Sequence, residues 1–220
     1  MSQVAATVNR VMANVMPGPS TPTKPAFTPA LVKAEDLDFG FKTFNEPGLI
    51  RAHAEAVRFY TDMANLNQPR WLSLLGPCGS GKTHLAEAVW SAWKTNLRDH
   101  SRTRHGISAR LEGKWIYWPQ AVDRIRGGEY SLVPALEQAD MVVLDDVGGE
   151  YDVSGFAASQ LNRLANQRLG KWTIWTSNLS LDQIATKLDN RIADRLIRSG
   201  SSVIEMDTTS YSIREHKQTL

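Results

Sequence analysis

Residues 76–83 read GPCGSGKT, and this octapeptide decides the fold. Gly76, Gly79 and Gly81 allow backbone turns that a Cβ would hinder, so successive N–H groups can face one anion. Lys82 adds a charge that reaches the β- and γ-phosphates of a nucleotide, and Thr83 adds a hydroxyl suited to Mg²⁺. The pattern G-x-x-x-x-G-K-[ST] is met in full, with Pro77, Cys78 and Ser80 among the variable places and His84 directly after it. At ordinary residue frequencies a chance match in a chain of 220 residues is on the order of one in a hundred. The flanks fit as well. WLSLL (71–75) is a short apolar strand, and THLAEAVWSAWKTNL (83–97) places Leu85, Val89, Ala92 and Trp93 on one side of a helix. A helix starting near Lys82 points the positive end of its dipole at the same anion.

A second stretch answers the first. MVVLDDVGG (141–149) runs an apolar strand into two adjacent acids and two glycines. Neighbouring carboxylates repel unless a cation shares their site. Beside a phosphate loop the cation is Mg²⁺, held at the end of a second strand. Asp145 takes the metal, through a bound water, and Asp146 orients the attacking water.

The remaining chain alternates strand and helix. EPGLIRAHAEAVRFYTDMANL (46–66) reads as a helix, with Pro47 near its start. WIYW (115–118), WTIW (172–175) and SVIEM (202–206) read as strands, and SGFAASQLNRLANQRL (154–169) as a helix. Five strands separated by helices predict an α/β fold: a five-stranded parallel sheet with helices on both faces. The tryptophans in and beside WIYW and WTIW suit packing on the sheet faces better than base stacking. Residues 1–35 read as a leader and linker. Val4, Val8, Val11, Met12 and Val15 have helical spacing, and residues 17–30 hold five prolines. That leader is either poorly ordered or a docking helix that folds on a partner. The folded domain is expected over 36–220.

Composition sets outer limits. Formal net charge is only +2, so any nucleic-acid surface is a local patch. One cysteine excludes an internal disulfide and suits a reducing interior. No apolar run approaches the ~20 residues of a membrane span, and the N-terminus lacks a signal peptide's apolar centre. A cytoplasmic protein without membrane contact is expected.

WTIWTSN (172–178) ends a strand with Thr176, Ser177 and Asn178, where a polar side chain reaches the γ-phosphate or the attacking water; a plain turn into the capping box that starts at Ser180 is the simpler alternative. LDNRIADRLIRSG (188–200) puts Arg191, Arg195 and Arg198 along one helical face, where solvation beside Asp189 and Asp194 is the simpler reading. Together these pieces resemble the AAA+ ATPases, within them the DnaC-type helicase loaders and their IstB relatives, over roughly residues 37–214. GPCGSGKTHLAEAV resembles the family's Walker A segment, VVLDDVG its Walker B, and TSN its sensor 1, with Asn178 at that position. NRIADRLI resembles the segment in which Arg195 matches an arginine finger and Arg191 a supporting arginine.

The resemblance implies an ATPase using ATP and Mg²⁺ in a homo-oligomeric ring or spiral, each site completed by a neighbour's arginine. It also implies an AAA+ core without the helical C-terminal lid domain. Two departures matter. The loaders carry Asp-Glu where this chain has Asp145-Asp146, which implies slow hydrolysis stimulated by assembly, DNA or a partner. The family's tail has Arg directly after Ser-Tyr; here Ser210-Tyr211 is followed by Ser212, and the nearest arginine is Arg214.

A replicative helicase and single-stranded DNA are the implied partners. Arg124, Arg126 and Tyr130 suit a strand's backbone and bases; an ordinary amphipathic helix is the alternative. The basic stretch 96–114, with Arg98, Arg102, Arg104, Arg110 and Lys114, reads as a loop, either solvated or touching phosphates. The leading expectation is a protein that loads a replicative helicase onto DNA. The alternatives are a transposition ATPase delivering target DNA, a small-molecule kinase, and a nucleotide-binding adaptor that barely hydrolyses ATP.

Overall fold

A computed structural model describes residues 47–65, 67–97, 102–104, 107–109, 111–198, 200–208 and 210. The expected leader and the stretch 36–46 lie outside these residues, as does Arg214.

Strand β1 (Trp71–Leu75) is buried at every position, so it needs cover on both faces. It lies between β6 (Trp172–Ser177) and β7 (Ser202–Glu205), and the sheet order is β4-β5-β6-β1-β7. Here β4 is Gly113–Tyr117 and β5 is Met141–Val147. Every pairing in this sheet is parallel, as expected from the strand–helix alternation. Parallel strands end at one edge, so the phosphate loop after β1 shares that edge with the ends of β6, β5 and β4.

One face packs Leu72, Leu74, Val143 and Ile174 against α1 (Pro47–Ala64) and α2 (Lys82–Ala92). The other packs Trp71, Leu75, Val142, Leu144 and Trp175 against α3 (Trp118–Arg126), α5 (Phe156–Gln167) and α7 (Asn190–Ile197). Trp71 and Trp175 stack at 6.4 Å, and Phe59 meets Trp172 edge-on at 5.1 Å. Trp71, Trp172 and Trp175 are core residues, and Trp115 packs partly buried against the same core cluster as Trp172. Trp118 is buried too, but it opens α3 rather than closing a strand, because Pro119 follows it at the first turn, where a missing N–H costs nothing.

Four further elements depart from the sequence reading. Helix α2 ends in a π-helical turn, Trp93–Leu97. Within 96–114 two short strands, β2 (Arg102–Arg104) and β3 (Ile107–Ala109), pair antiparallel, so this stretch is not simply a loop. Helix α4 (Leu132–Gln138) was not expected at all. Helix α6 (Leu181–Lys187) begins at the expected capping box, Ser180 with Gln183. Among the described residues no helical domain follows β7, and no helix is long and apolar enough to cross a membrane.

Candidate functional site

The phosphate loop is shaped by its glycines. Gly76, Gly79 and Gly81 all have positive φ. At Gly79 a Cβ would also lie 2.3 Å from Ser210 Oγ, so the close approach of Ser210 requires glycine there as well. Gly81 hands over to the N-terminus of α2 without a side-chain cap, leaving the first N–H groups for an anion. Lys82 is buried; its Nζ donates to Gly76 O at 2.8 Å, Pro77 O at 2.7 Å and Asn178 Oδ1 at 2.9 Å. Burial pushes its pKa down, while Cys78, Asp146 and Asp145 pull it back up.

The two acids are separated by a bulge. The β5–β6 ladder runs through Leu144↔Trp175, shifts register, and resumes at Val147↔Ser177. Asp145 and Asp146 thus share one opposing residue, Thr176, which is the pattern of a β-bulge. The Thr176 hydroxyl serves both: it donates to Asp145 Oδ1 at 2.6 Å and accepts from Asp146 N at 2.9 Å. Asp146 has φ 58°, the single positive φ outside glycine among the described residues. This left-handed turn sends the neighbouring carboxylates in different directions. Asp145 Oδ1 also accepts from Thr83 Oγ1 at 3.0 Å. Asp146 accepts from Asn178 Nδ2 at 2.7 Å and from Tyr117 OH at 3.0 Å. Gly149 leaves room for it, since a Cβ there would lie 2.8 Å from Asp146 Oδ2. Strain of about 1–3 kcal/mol in such a conformation persists only where surroundings hold it, typically at functional sites.

These groups line one cavity of about 530 Å³, with Cys78, Gly79, Gly81, Lys82, Thr83, His84, Tyr117, Asp145, Asp146, Thr176 and Asn178 at its wall. The sequence placed most of them. It missed Tyr117, which reads as one more aromatic strand residue, and the double role of Thr176. The hydrogen bond to Asp146 raises the Tyr117 pKa, so the phenol stays a donor. Ser177 turns inward and bonds Val147 O instead.

The arginines of α7 lie apart from this cavity and are held in different ways. Arg191 pairs with Asp189 at 2.8 Å, and Arg198 with Asp194 at 2.6 Å. Arg195 donates to neutral oxygens: Asn162 Oδ1 at 2.8 Å, Arg191 O at 2.9 Å and Asn166 Oδ1 at 3.3 Å. On α3, Arg124 forms a two-pronged pair with Glu129, and Arg126 bonds Asp152 Oδ1 and Tyr151 O, both at 3.1 Å. Tyr130 and Tyr151 are exposed nearby in sequence.

Comparison with known proteins places this geometry in context. The family described as IstB-like ATP binding protein matches residues 21–219. A search of curated proteins returns no match. Among solved structures, the DnaC helicase loader superposes with TM-score 0.61 at 19% identity, covering 79% of this chain and 98% of that one. DnaI gives 0.58 at 21%, covering 81% and 93%. The replication initiator DnaA bound to AMPPCP and single-stranded DNA gives 0.55 at 16%, covering 82% of this chain and 53% of the initiator. At such identities these three likenesses speak to the fold, which is that of the P-loop AAA+ ATPases.

Proposed function

The chain belongs to the family of IstB-like ATP-binding proteins, and from that premise we propose that it is an ATP-driven switch that loads a replicative helicase onto DNA. The observation that carries this reading is the meeting of Lys82, Thr83, Asp145, Asp146 and Asn178 in one cavity at the strand ends. The triphosphate lies along Gly76–Thr83, on the loop's N–H groups and the α2 N-terminus. Lys82, tethered by two loop carbonyls and Asn178, trades some of those acceptors for phosphate oxygens.

The residues present fit Mg²⁺. Thr83 Oγ1 and Asp145 Oδ1 are hard oxygen donors 3.0 Å apart, and no group of three or more His, Cys, Asp or Glu side chains among the described residues forms an all-protein cage. Mg²⁺ favours such sparse sites, completed by water and phosphates. When bound it neutralises charge on the β- and γ-oxygens. Asp146 accepts a hydrogen bond from the attacking water, while Asn178 and Tyr117 hold the carboxylate in place. The water oxygen bonds to the γ-phosphorus as the bond to the bridging oxygen breaks. The electron pair leaves on ADP, and the water's proton ends on the released phosphate.

The second cation comes from an adjoining copy in a ring or spiral. Arg195 supplies it, since it is the α7 arginine without a carboxylate partner among the described residues. Arg191 supports it by offering its backbone carbonyl. The tail residue Arg214 closes on the same nucleotide. Hydrolysis is slow by itself, and assembly, single-stranded DNA or the helicase stimulates it. Arg124, Arg126, Tyr130 and the basic stretch 96–114 contact the strand, and residues 1–35 form a leader ahead of a domain spanning 36–220. A small-molecule kinase is disfavoured, because no arginine lines the cavity from within this chain among the described residues.

The family match favours one alternative, a transposition ATPase delivering target DNA. ATP turnover measured with and without oligo-dT tests the shared switch. Lys82→Ala is expected to abolish nucleotide binding. Arg195→Ala is expected to keep binding and to lose assembly-dependent hydrolysis; unchanged turnover removes the arginine from the site. Capture of a replicative helicase from the full chain with ATP supports the loader, and capture of a transposase supports the alternative.

A further inference from the structure

Helix α5 carries Asn162 and Asn166 one turn apart, and both side-chain oxygens face the same guanidinium. Leu161, Leu164 and Ala165 bury the opposite side of the helix in the core, so this pair sits on rigid ground. With the Arg191 carbonyl, the two amides take three of the five N–H groups of Arg195. Asn162 also donates through Nδ2 to Asp189 Oδ2 at 3.3 Å. That bond fixes which way the amide points and leaves its oxygen for Arg195. Asp189 is in turn fully engaged, capping α7 through Arg191 N at 2.7 Å and pairing with the Arg191 guanidinium.

The division is chemical. Arg191 in this helix and Arg198 just after it are matched with carboxylates, while Arg195 between them is oriented by neutral oxygens. A carboxylate partner would cancel most of the field that a guanidinium offers a second anion; an amide oxygen orients it and leaves the charge in place. We infer that Asn162 and Asn166 form a neutral cradle that presents Arg195 to the phosphates of an adjoining copy's nucleotide. They are positioning residues, and the inference rests on the reading of Arg195 given above. Asn162 bonds both Arg195 and Asp189, and the Arg195 charge reaches Asp189 through space without a direct ion pair.

The test uses full-length chains in mixed assemblies. Lys82→Ala subunits bind no nucleotide but still donate Arg195; Arg195→Ala subunits bind nucleotide but donate nothing. Mixing them restores hydrolysis at hybrid sites if the arginine acts between subunits. Donors that carry Lys82→Ala with Asn162→Ala and Asn166→Ala are expected to restore about tenfold to a hundredfold less kcat, with KM for ATP unchanged. Asn166→Asp keeps the shape and the acceptor for Arg195 but adds the charge, and is expected to lower kcat at least as far as Asn166→Ala. A purely structural role predicts the reverse, since Asp preserves the hydrogen bond. Wild-type kcat in the Asn variants, with Arg195→Ala inactive, overturns the cradle alone. Wild-type kcat in Arg195→Ala overturns the reading beneath it. Circular-dichroism melting confirms that each variant folds.

Discussion

Thr176→Val tests the arrangement on which the site depends. The side chain is buried and nearly isosteric with valine, so shape is kept and only the hydroxyl is lost. That hydroxyl donates to the Asp145 carboxylate at 2.6 Å, an interaction of about 1.5–3 kcal/mol when the acceptor is charged. It also accepts from the Asp146 N–H at 2.9 Å, and an orphaned N–H costs about 1–3 kcal/mol when buried. Asp146 is half-exposed and water reaches it, so the lower half of the combined range applies, about 3 kcal/mol. For a domain of this size the melting temperature should fall by about 6–12 °C, at ~2–4 °C per kcal/mol. Thr176→Ser keeps the hydroxyl and loses one methyl, at about 1 kcal/mol. Urea unfolding of the three proteins at pH 7 measures the difference. Mg²⁺-dependent ATP turnover should fall in the valine variant and survive in the serine variant. If valine and serine variants agree within ~0.5 kcal/mol, the hydroxyl does not hold the bulge and the reasoning fails.

Three further outcomes are expected. Tyr117→Phe removes one of two donors to Asp146, and stopped-time ATPase assays should show kcat down by roughly threefold to tenfold with stability within ~0.5 kcal/mol, as for a surface change. Asp189→Ala removes the N-cap of α7 at a cost of about 1 kcal/mol. The Arg191 hydrogen bond lowers the Asp189 pKa, so its contribution is complete above 3.8 and fades as pH falls through the lowered value. Wild type and variant should therefore converge in denaturant titrations below that pH. Arg168→Met takes away a fully buried guanidinium that donates to Leu136 O, Ala139 O, Trp172 O and Thr173 Oγ1. Burial has already pushed its pKa down to about 10. The stranded carbonyls should cost about 3–5 kcal/mol in urea unfolding, and a loss below 1 kcal/mol would show that water replaces the side chain.

The central strands of the sheet were legible because they are buried on both faces. WLSLL and MVVL need no alternation to be read, since a parallel sheet covered by helices asks for continuous apolar runs. The phosphate loop was legible because each position has its own chemical reason. Helix α4 was not, because LVPALEQ is a single short turn or two with a proline inside it. Pro134 sits in the first turn of that helix, where it breaks no hydrogen bond, but in sequence it reads as a break. The bulge was invisible for a different reason. Nothing in LDDV says that two residues will face one, since that is a fact about register with β6, some thirty residues away. Tyr117 was hidden by its neighbours: in WIYW it looks like core, and only the parallel order of β4 beside β5 brings its hydroxyl to Asp146. The cradle of Arg195 was hidden by proximity. Asp189 and Asp194 lie within a turn or two and looked like its partners, whereas the groups that hold it come from α5.

The charges around the cavity bear on the proposed assembly. Lys82 is the single permanent cation among the lining residues, against Asp145 and Asp146. Its ammonium is already shared among two carbonyls and Asn178, and burial makes its charge costlier still. A nucleotide brings several more negative charges to this space. One lysine cannot balance them, and a divalent ion at Thr83 and Asp145 offsets only part. Hydrolysis moves further charge onto the bond between the β- and γ-phosphates, so a cation is wanted there most during the reaction itself. Among the described residues the α7 guanidinium without a carboxylate partner is not part of its own cavity's wall and is bonded to α5. Under the proposed function, a subunit built this way binds ATP alone and gains from the next copy the charge that turns it over. In that proposal the order of events is nucleotide first, contact second, hydrolysis last.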